Sequence, residues 1–329
     1  MPPKPTVETK LQALQDLIEK DSQENCQIAL KNALKEKNNF IVAKAAKWTA
    51  ERLQYDLIPE LVSAYNRFLE NPLKHDKTCA AKIAIVRALY DLDFDSPKFY
   101  RDGLRYRQFE PVWGGQVDTA VEVRCTSAMG LASTNDHRVM IDLIEILHDE
   151  EYKARIGAVK AMEMLPPYQT ELVLRHKILQ GDYESEVIAQ CFSSLMKAAA
   201  EESLDFVAAC LQQEYLSVCE SAAIALGESR LDEALDILID ESKNITLHNA
   251  LQHALFQAIA LHRKDRAVEY LLSVIELEGH TAACDAVEVL AIYSYNQDLK
   301  DKVKTRVLER TSKQIADVFE KHWIDTEAG

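Results

Sequence analysis

This chain is short of the residues that break helices. Its 329 residues include only 9 glycines and 9 prolines. A β-rich domain needs a steadier supply of turn glycines, so the first expectation is an all-α fold. Long apolar runs are also missing. None approaches the roughly 18 residues of a membrane-spanning helix, so no membrane role is expected. Positive charge is in deficit, with 38 Lys and Arg against 53 Asp and Glu, a net charge of −15 and a pI of about 5.1. Such a surface repels phosphate backbones and argues against general nucleic-acid binding.

Other absences narrow the chemistry. The seven cysteines (Cys26, Cys79, Cys125, Cys191, Cys210, Cys219 and Cys284) are odd in number and form no CxxC pair. That excludes a disulfide framework and a zinc knuckle and points to a reducing cytosol. The opening "MPPKPTVETK" lacks the apolar core of a signal peptide. GxSxG, GxxxxGK[ST] and GxGxxG are all absent, so there is no nucleophile elbow and no phosphate-cradling loop. No cofactor and no small-molecule ligand are expected.

What is present is a soluble folding composition, 47% apolar and 28% charged, arranged as a repeat. "VEVRCTSAMG" from Val121, "ARIGAVKAME" from Ala154 and "VCESAAIALG" from Val218 each carry a small residue at the fifth and eighth places and an apolar one at the ninth. The template also fits stretches beginning at Val42, Ala81, Val187, Leu251 and Ala282. The later spacings settle at a period of roughly 32 residues, which is a repeat architecture. Each unit reads as two helices. The small-residue helix approaches its counterpart in the next unit closely. A more aliphatic partner such as "HRVMIDLIEILHD" or "DRAVEYLLSVIELE" shows apolar positions at three- and four-residue spacing. No unit can bury its apolar face alone, so neighbours stack into one core.

Val121, Cys125, Ala128, Met129, Gly130 and their equivalents resemble the short bacterial HEAT-like repeats, of the kind found in phycobilin lyases and in uncharacterised proteins. The resemblance covers residues 22–310. It implies a right-handed α-α superhelix of about eight helical hairpins, with a disordered start (1–8), capping helices (9–40), the array (41–298) and a long amphipathic capping helix with tail (299–329). It implies little about function. A weaker resemblance points to HEAT-like proteins of type VI secretion loci. The deoxyhypusine hydroxylase family holds two irons with His-Glu dipeptides, and this chain has none. Its His75-Asp76 and His148-Asp149 pairs both fall six residues before a repeat start, where the Asp suits a turn and helix cap. Cys125 and Cys191 occupy the small fifth position and read as buried packing residues, not nucleophiles.

One stretch departs from the rest. Residues 97–115, "PKFYRDGLRYRQFEPVWGG", concentrate aromatics and arginines. Ser96 and Pro97 suit a helix start, Pro111 its end, and "VWGG" a loop before the next unit. The helix would be the second of its unit, the row that usually lines the concave binding face of such arrays. Tyr100, Arg101, Arg105, Tyr106, Arg107, Phe109 and Trp113 are the residue types of binding hot spots. Arg138, Arg175, Lys177 and Arg230 could extend the patch. Two readings stand: the aromatics fill the core while the arginines snorkel or pair with nearby acids, or the stretch is a recognition surface. The function expected is a non-enzymatic cytosolic scaffold or adaptor for a protein partner. The alternatives are a phycobilin-lyase-like subunit, with arginines on propionates and aromatics on the tetrapyrrole, and a HEAT-like DNA-lesion glycosylase.

Overall fold

The computed structural model describes residues 6–20, 23–134, 136–244 and 248–324. Among these, twenty α-helices, one two-stranded hairpin and a few single-turn 3-10 helices account for the regular structure, and the chain divides into two compact units, residues 1–165 and 166–329.

The first unit contains α1 (Val7–Lys20), α2 (Gln23–Leu34), α3 (Asn39–Glu51), α4 (Ile58–Leu69), the short α5 (Pro72–His75), α6 (Ala80–Asp91), α7 (Pro97–Leu104), β1 (Phe109–Val112), β2 (Gly115–Asp118), α8 (Val121–Ala132), α9 (Val139–Ile146) and α10 (Tyr152–Met162). Helices α3, α6, α8 and α10 pack in series, and α4, α7 and α9 lie against α6, α8 and α10 respectively. The second unit contains α11 (Pro167–Gln180), α12 (Ser185–Ala198), α13 (Ala200–Ala209), α14 (Leu216–Ser229), α15 (Asp232–Ser242), α16 (His248–Leu261), α17 (Asp265–Leu277), α18 (His280–Leu290), α19 (Gln297–Glu309) and α20 (Lys313–Trp323). Here α12, α14, α16, α18 and α20 form the series, backed by α11, α13, α15, α17 and α19.

All eight template stretches are helical: α3, α6, α8 and α10 in the first unit, α12, α14, α16 and α18 in the second. Their fifth and eighth residues are buried throughout, except half-exposed Cys125. Small side chains allow the close packing expected of them. A Cβ on Gly157 would lie 2.8 Å from the Cys125 Sγ of the preceding helix, and one on Gly227 would lie 2.2 Å from the Ala258 carbonyl oxygen of the following helix. The fold is therefore an all-α, HEAT-like stacking of helical hairpins.

Two features differ from the sequence reading. In place of one long helix over residues 299–323 there are two, α19 and α20, separated at Thr311, which takes a left-handed φ of 50°. The turn lets Ile315, Phe319 and Trp323 swing onto the series helices, where the Trp323 indole N–H donates to the Val287 carbonyl at 2.9 Å. The basic residues Lys302 and Lys304 stay exposed on α19. Of the N-terminal segment expected to be disordered, residues 1–5 lie outside the described residues and Val7 already begins α1.

Candidate functional site

The aromatic- and arginine-rich stretch is partly helix and partly hairpin. Ser96 caps α7, its hydroxyl accepting from the Phe99 N–H, and Pro97 occupies the first turn. The helix then stops at Leu104, short of the expected Pro111. Residues 109–118 form an antiparallel hairpin pairing Phe109 with Asp118, Glu110 with Val117, Pro111 with Gln116 and Val112 with Gly115. Trp113 and Gly114 make the two-residue turn. Gly114 adopts φ 88° at the second turn position, where a type II turn requires a positive value. "VWGG" is thus the tip of a hairpin, not a loop. The signal was a glycine pair set between the β-prone flanks "FEPV" and "QVD".

The hairpin stands on a buried ionic root. Arg124 of α8 is fully buried. It donates through Nη1 to Asp118 Oδ2 at 2.6 Å and to the Tyr106 carbonyl at 3.1 Å, and through Nη2 to Asp149 Oδ1 at 3.1 Å. Asp118 Oδ1 accepts from the backbone N–H groups of Gln108 at 3.0 Å and Ala120 at 2.9 Å. Burial pushes the Asp118 carboxyl up, but these backbone donors and Arg124 outweigh it and hold it below its ordinary value. Asp149 also takes Arg107 Nη2 at 2.5 Å. One repeat earlier, buried Lys82 meets buried Asp76 at 2.8 Å. Asp76 also caps α6, accepting from the N–H groups of Ala81 and Lys82. Asp149 likewise accepts from the Glu151 N–H. Of the two His-Asp turns, Asp76 takes the expected cap role and Asp149 makes the turn bond alone, and both carry a charge-pairing role that sequence reasoning missed. Its signal is an acid followed six residues later by a base: Asp76 and Lys82, Asp118 and Arg124, Asp149 and Arg155, whose Nη1 donates to the Asp149 carbonyl at 2.7 Å.

Gln108 and Glu110 tie the hairpin to the turn after α5. Gln108 Nε2 donates to the Asp76 carbonyl at 2.8 Å, and Glu110 Oε1 accepts from Thr78 N–H at 2.6 Å and from Thr119 Oγ1 at 2.8 Å. Burial pushes the Glu110 carboxyl up, yet the bonds from Thr119, Gln108 and Thr78 leave it lowered.

The candidate residues divide sharply. Tyr100 is withdrawn from the surface. It is fully buried, edge-on to Phe94 and Phe99, with its ring filling the space over Gly130, where a Cβ would meet it at 2.2 Å. Arg101 is held by Asp142 at 2.7 Å and Asp136 at 2.7 Å, which raise its pKa further. Arg105 remains mostly exposed, with looser contacts of 3.5 Å to Asp142 and 3.4 Å to Glu145. Half-buried Tyr106 donates to Gln108 Oε1 at 2.7 Å. Along the hairpin, Trp113 at the tip is 103% exposed, Val112 51%, Val117 44% and, at the root end, Phe109 46%. Arg138 is exposed at the start of α9. Arg175, Lys177 and Arg230 belong to the other unit. Arg175 pairs with Glu171 and covers the Phe206 ring, Lys177 is buried against Asp182 at 2.8 Å, and Arg230 is exposed at the end of α14. A second surface feature is a groove of about 720 Å³ between α3 and α6, floored by Ala50, Ile83, Ala84 and Ala88.

Burial pushes the Cys125 thiol up to about 11 and the Cys191 thiol up to about 12. Among the described residues, no three or more His, Cys, Asp or Glu converge as a metal cluster would, and no helix is long and apolar enough to cross a membrane. The His253 ring lies 3.5 Å from Asp285, and the side chain of His248 is outside the described residues.

The fold and site define a HEAT-like helical repeat protein carrying an inserted, Trp-tipped hairpin. No family model matches the chain, and no curated protein sequence does. Among solved structures it is similar to an engineered protein at 15% identity, covering 99% of this chain and 97% of that one, with a TM-score of 0.36. It is also similar to the complex of CpcE and CpcF of phycocyanin lyase from Nostoc sp. at 12% identity, 90% and 94% coverage and a TM-score of 0.35. Human deoxyhypusine hydroxylase in complex with glycerol matches at 13% identity, 89% and 92% coverage and a TM-score of 0.29. Likeness this low says nothing of what the chain binds.

Proposed function

We propose that the chain is a non-enzymatic scaffold or adaptor that holds a protein partner, with the hairpin and the neighbouring face of α7 and α9 as the docking surface. The observation that carries this reading is Trp113. A fully exposed indole costs solvation unless something covers it, and Trp is the residue type most enriched at binding hot spots. Its setting supports an anchor: the tip is apolar and exposed, while the root is pinned by charge-assisted bonds, that of Arg124 to Asp118 fully buried. At the root of the hairpin Arg107 is held by Asp149, and Arg105 stays mostly exposed beside Glu145. The partner identity and a cytosolic setting, including a type VI secretion context, belong to the same proposal. A bilin-handling role draws less support, because Arg101 and Arg107 are already committed to carboxylates.

The test is affinity capture from the native source, with wild type beside an Arg105→Glu/Trp113→Ala double variant whose fold is first checked by circular dichroism. A specific protein captured by wild type and lost by the folded variant supports the reading. Equal capture by both refutes the hairpin as the docking surface and turns attention to the groove between α3 and α6.

A further inference from the structure

The hairpin has two edges, and the sequence blocks only one of them. Thr119 N–H donates to the Gln108 carbonyl at 2.9 Å. Bonded and unbonded pairs alternate along an antiparallel ladder. In the observed register, Glu110 with Val117 and Val112 with Gly115 are therefore the pairs bonded inward. The pair between them, Pro111 and Gln116, turns its backbone groups outward. On β1 that outward position is a proline, which has no N–H to offer. On β2 it is Gln116. Among the described residues its N–H and carbonyl have no partner outside the hairpin, and it is exposed together with its neighbours Gly115 and Val117. Proline guards an edge against an added strand, and β2 carries no such guard. Its surroundings suit one. Val117 shares a face with Val112, and both are exposed, so apolar surface lies where a third strand would set its own side chains. A two-stranded ribbon is marginal alone and is strengthened by a third strand.

We infer that β2 is a docking edge: an extended segment of a protein partner adds to it as a third strand, exchanging backbone hydrogen bonds with Gln116 and setting a β-branched or aromatic side chain beside Val117. The inference rests on the scaffold reading above and names the backbone conformation and side-chain chemistry of its partner. The free backbone groups decide the class of ligand. A lipid surface can cover Trp113, but it cannot supply both a donor and an acceptor to Gln116 in strand register. Length and charge decide against a second copy of this chain. The edge has four residues, which at about 3.4 Å each span roughly 14 Å. Pairing two copies through it alone is too little for the roughly 1,200 Å² that a stable interface buries, and each copy brings a net charge of −15. A single extended segment needs only the edge and the apolar tip at its end.

The experiment pans a phage-displayed library of random linear peptides on the full chain, with Gln116→Pro as the counter-selection. Proline there removes the outward N–H and leaves the inward ladder bonds in place, which hydrogen exchange at the Val117 amide verifies. Peptides that need the edge are expected to carry β-branched or aromatic residues at alternate positions. A labelled synthetic copy of one is titrated by fluorescence anisotropy, then remade with one backbone N-methyl group at a time. Affinity is expected to fall at least about tenfold at alternate residues, those facing β2, and to change little at the residues between. This alternation is read on the wild-type chain, so it decides the matter even where Gln116→Pro disturbs the hairpin. An N-methyl series without a period of two would overturn the inference. So would peptides that bind Gln116→Pro as tightly as wild type, or the absence of enriched peptides. Trp113-dependent binding of the chain to phosphatidylserine vesicles, or a dimer in sedimentation that Gln116→Pro abolishes, would overturn it in favour of another occupant. If native capture is lost in Arg105→Glu/Trp113→Ala but unchanged in Gln116→Pro, the scaffold reading stands and only the added strand fails.

Discussion

Replacing Arg124 by Met leaves two buried carboxylates facing an apolar side chain of similar length. Asp118 keeps its backbone donors from Gln108 and Ala120 and has Arg107 Nε only at 4.0 Å. Asp149 keeps Arg107 at 2.5 Å and the Glu151 N–H. Breaking a buried ion pair from one side costs about 3–5 kcal/mol. The surviving donors place Arg124→Met at the lower end, about 3 kcal/mol, or roughly a hundredfold in the local opening equilibrium. Urea denaturation gives the overall loss, and hydrogen exchange at the amides of Gln108 and Val117 reports the root itself. A companion variant, Arg124→Met with Asp118→Asn and Asp149→Asn, removes the orphaned charges and is expected to recover much of the loss. The acid side supplies a sign. The Asp118 pKa is depressed in the folded chain, so its contribution is present above the ordinary value near 3.8 and is lost as pH falls through the lowered one. Arg124→Met is expected to flatten that dependence. A loss below about 1 kcal/mol, with unchanged exchange at Gln108, would refute the claim that this root is dry and charge-held.

Three further outcomes are expected. Gly227→Ala drives a Cβ to 2.2 Å from the Ala258 carbonyl oxygen, and since backbone cannot rotate away, about 1–3 kcal/mol is lost; an unchanged melting temperature would contradict the close approach of α14 and α16. His262 is buried with Nε2 on the Leu231 carbonyl, and burial, with Lys264 and Arg230 nearby against Asp232, lowers its pKa. Its contribution is therefore present above about 6.5 and lost as pH falls below it, so His262→Gln should narrow the difference between melts at acid and neutral pH. The thiols of Cys125 and Cys191, raised by burial, should alkylate with iodoacetamide far more slowly in the native chain than in urea, and equal rates would show that they are exposed.

The helices of the array were legible because tight stacking demands small residues at fixed places, and Ala158, Ala161, Ala222 and Ala225 show them directly. The charged ladder was hidden by the register this choice imposed. Aligning Val121 with Ala154 sets Arg124 two places away from Arg155, whereas aligning the base that follows each Asp brings Lys82, Arg124 and Arg155 together. Small residues tolerate such a slip, and ion pairs do not. The hairpin was masked by its helical prologue, since Ser96 and Pro97 announce α7 correctly while its early end is marked only by the Asp102-Gly103 pair in its last turn. The break at Thr311 had no glycine or proline to mark it; packing of Phe319 and Trp323 sets it from a distance. The site residues were legible as types only. Tyr100 and Trp113 look equally suited to binding in the sequence, and Gly130 is what separates them, by giving the first ring a place inside.

The root of the hairpin also determines where a pull on its tip is felt. Glu110 bonds to the turn before α6, Asp118 to the start of α8, and Arg107 and Arg124 to the turn before α10. A load applied at Trp113 is therefore divided among the turns of three successive hairpins rather than stretching a slack loop. The insert is thus coupled to neighbouring repeats through its root, not merely tethered at its two ends.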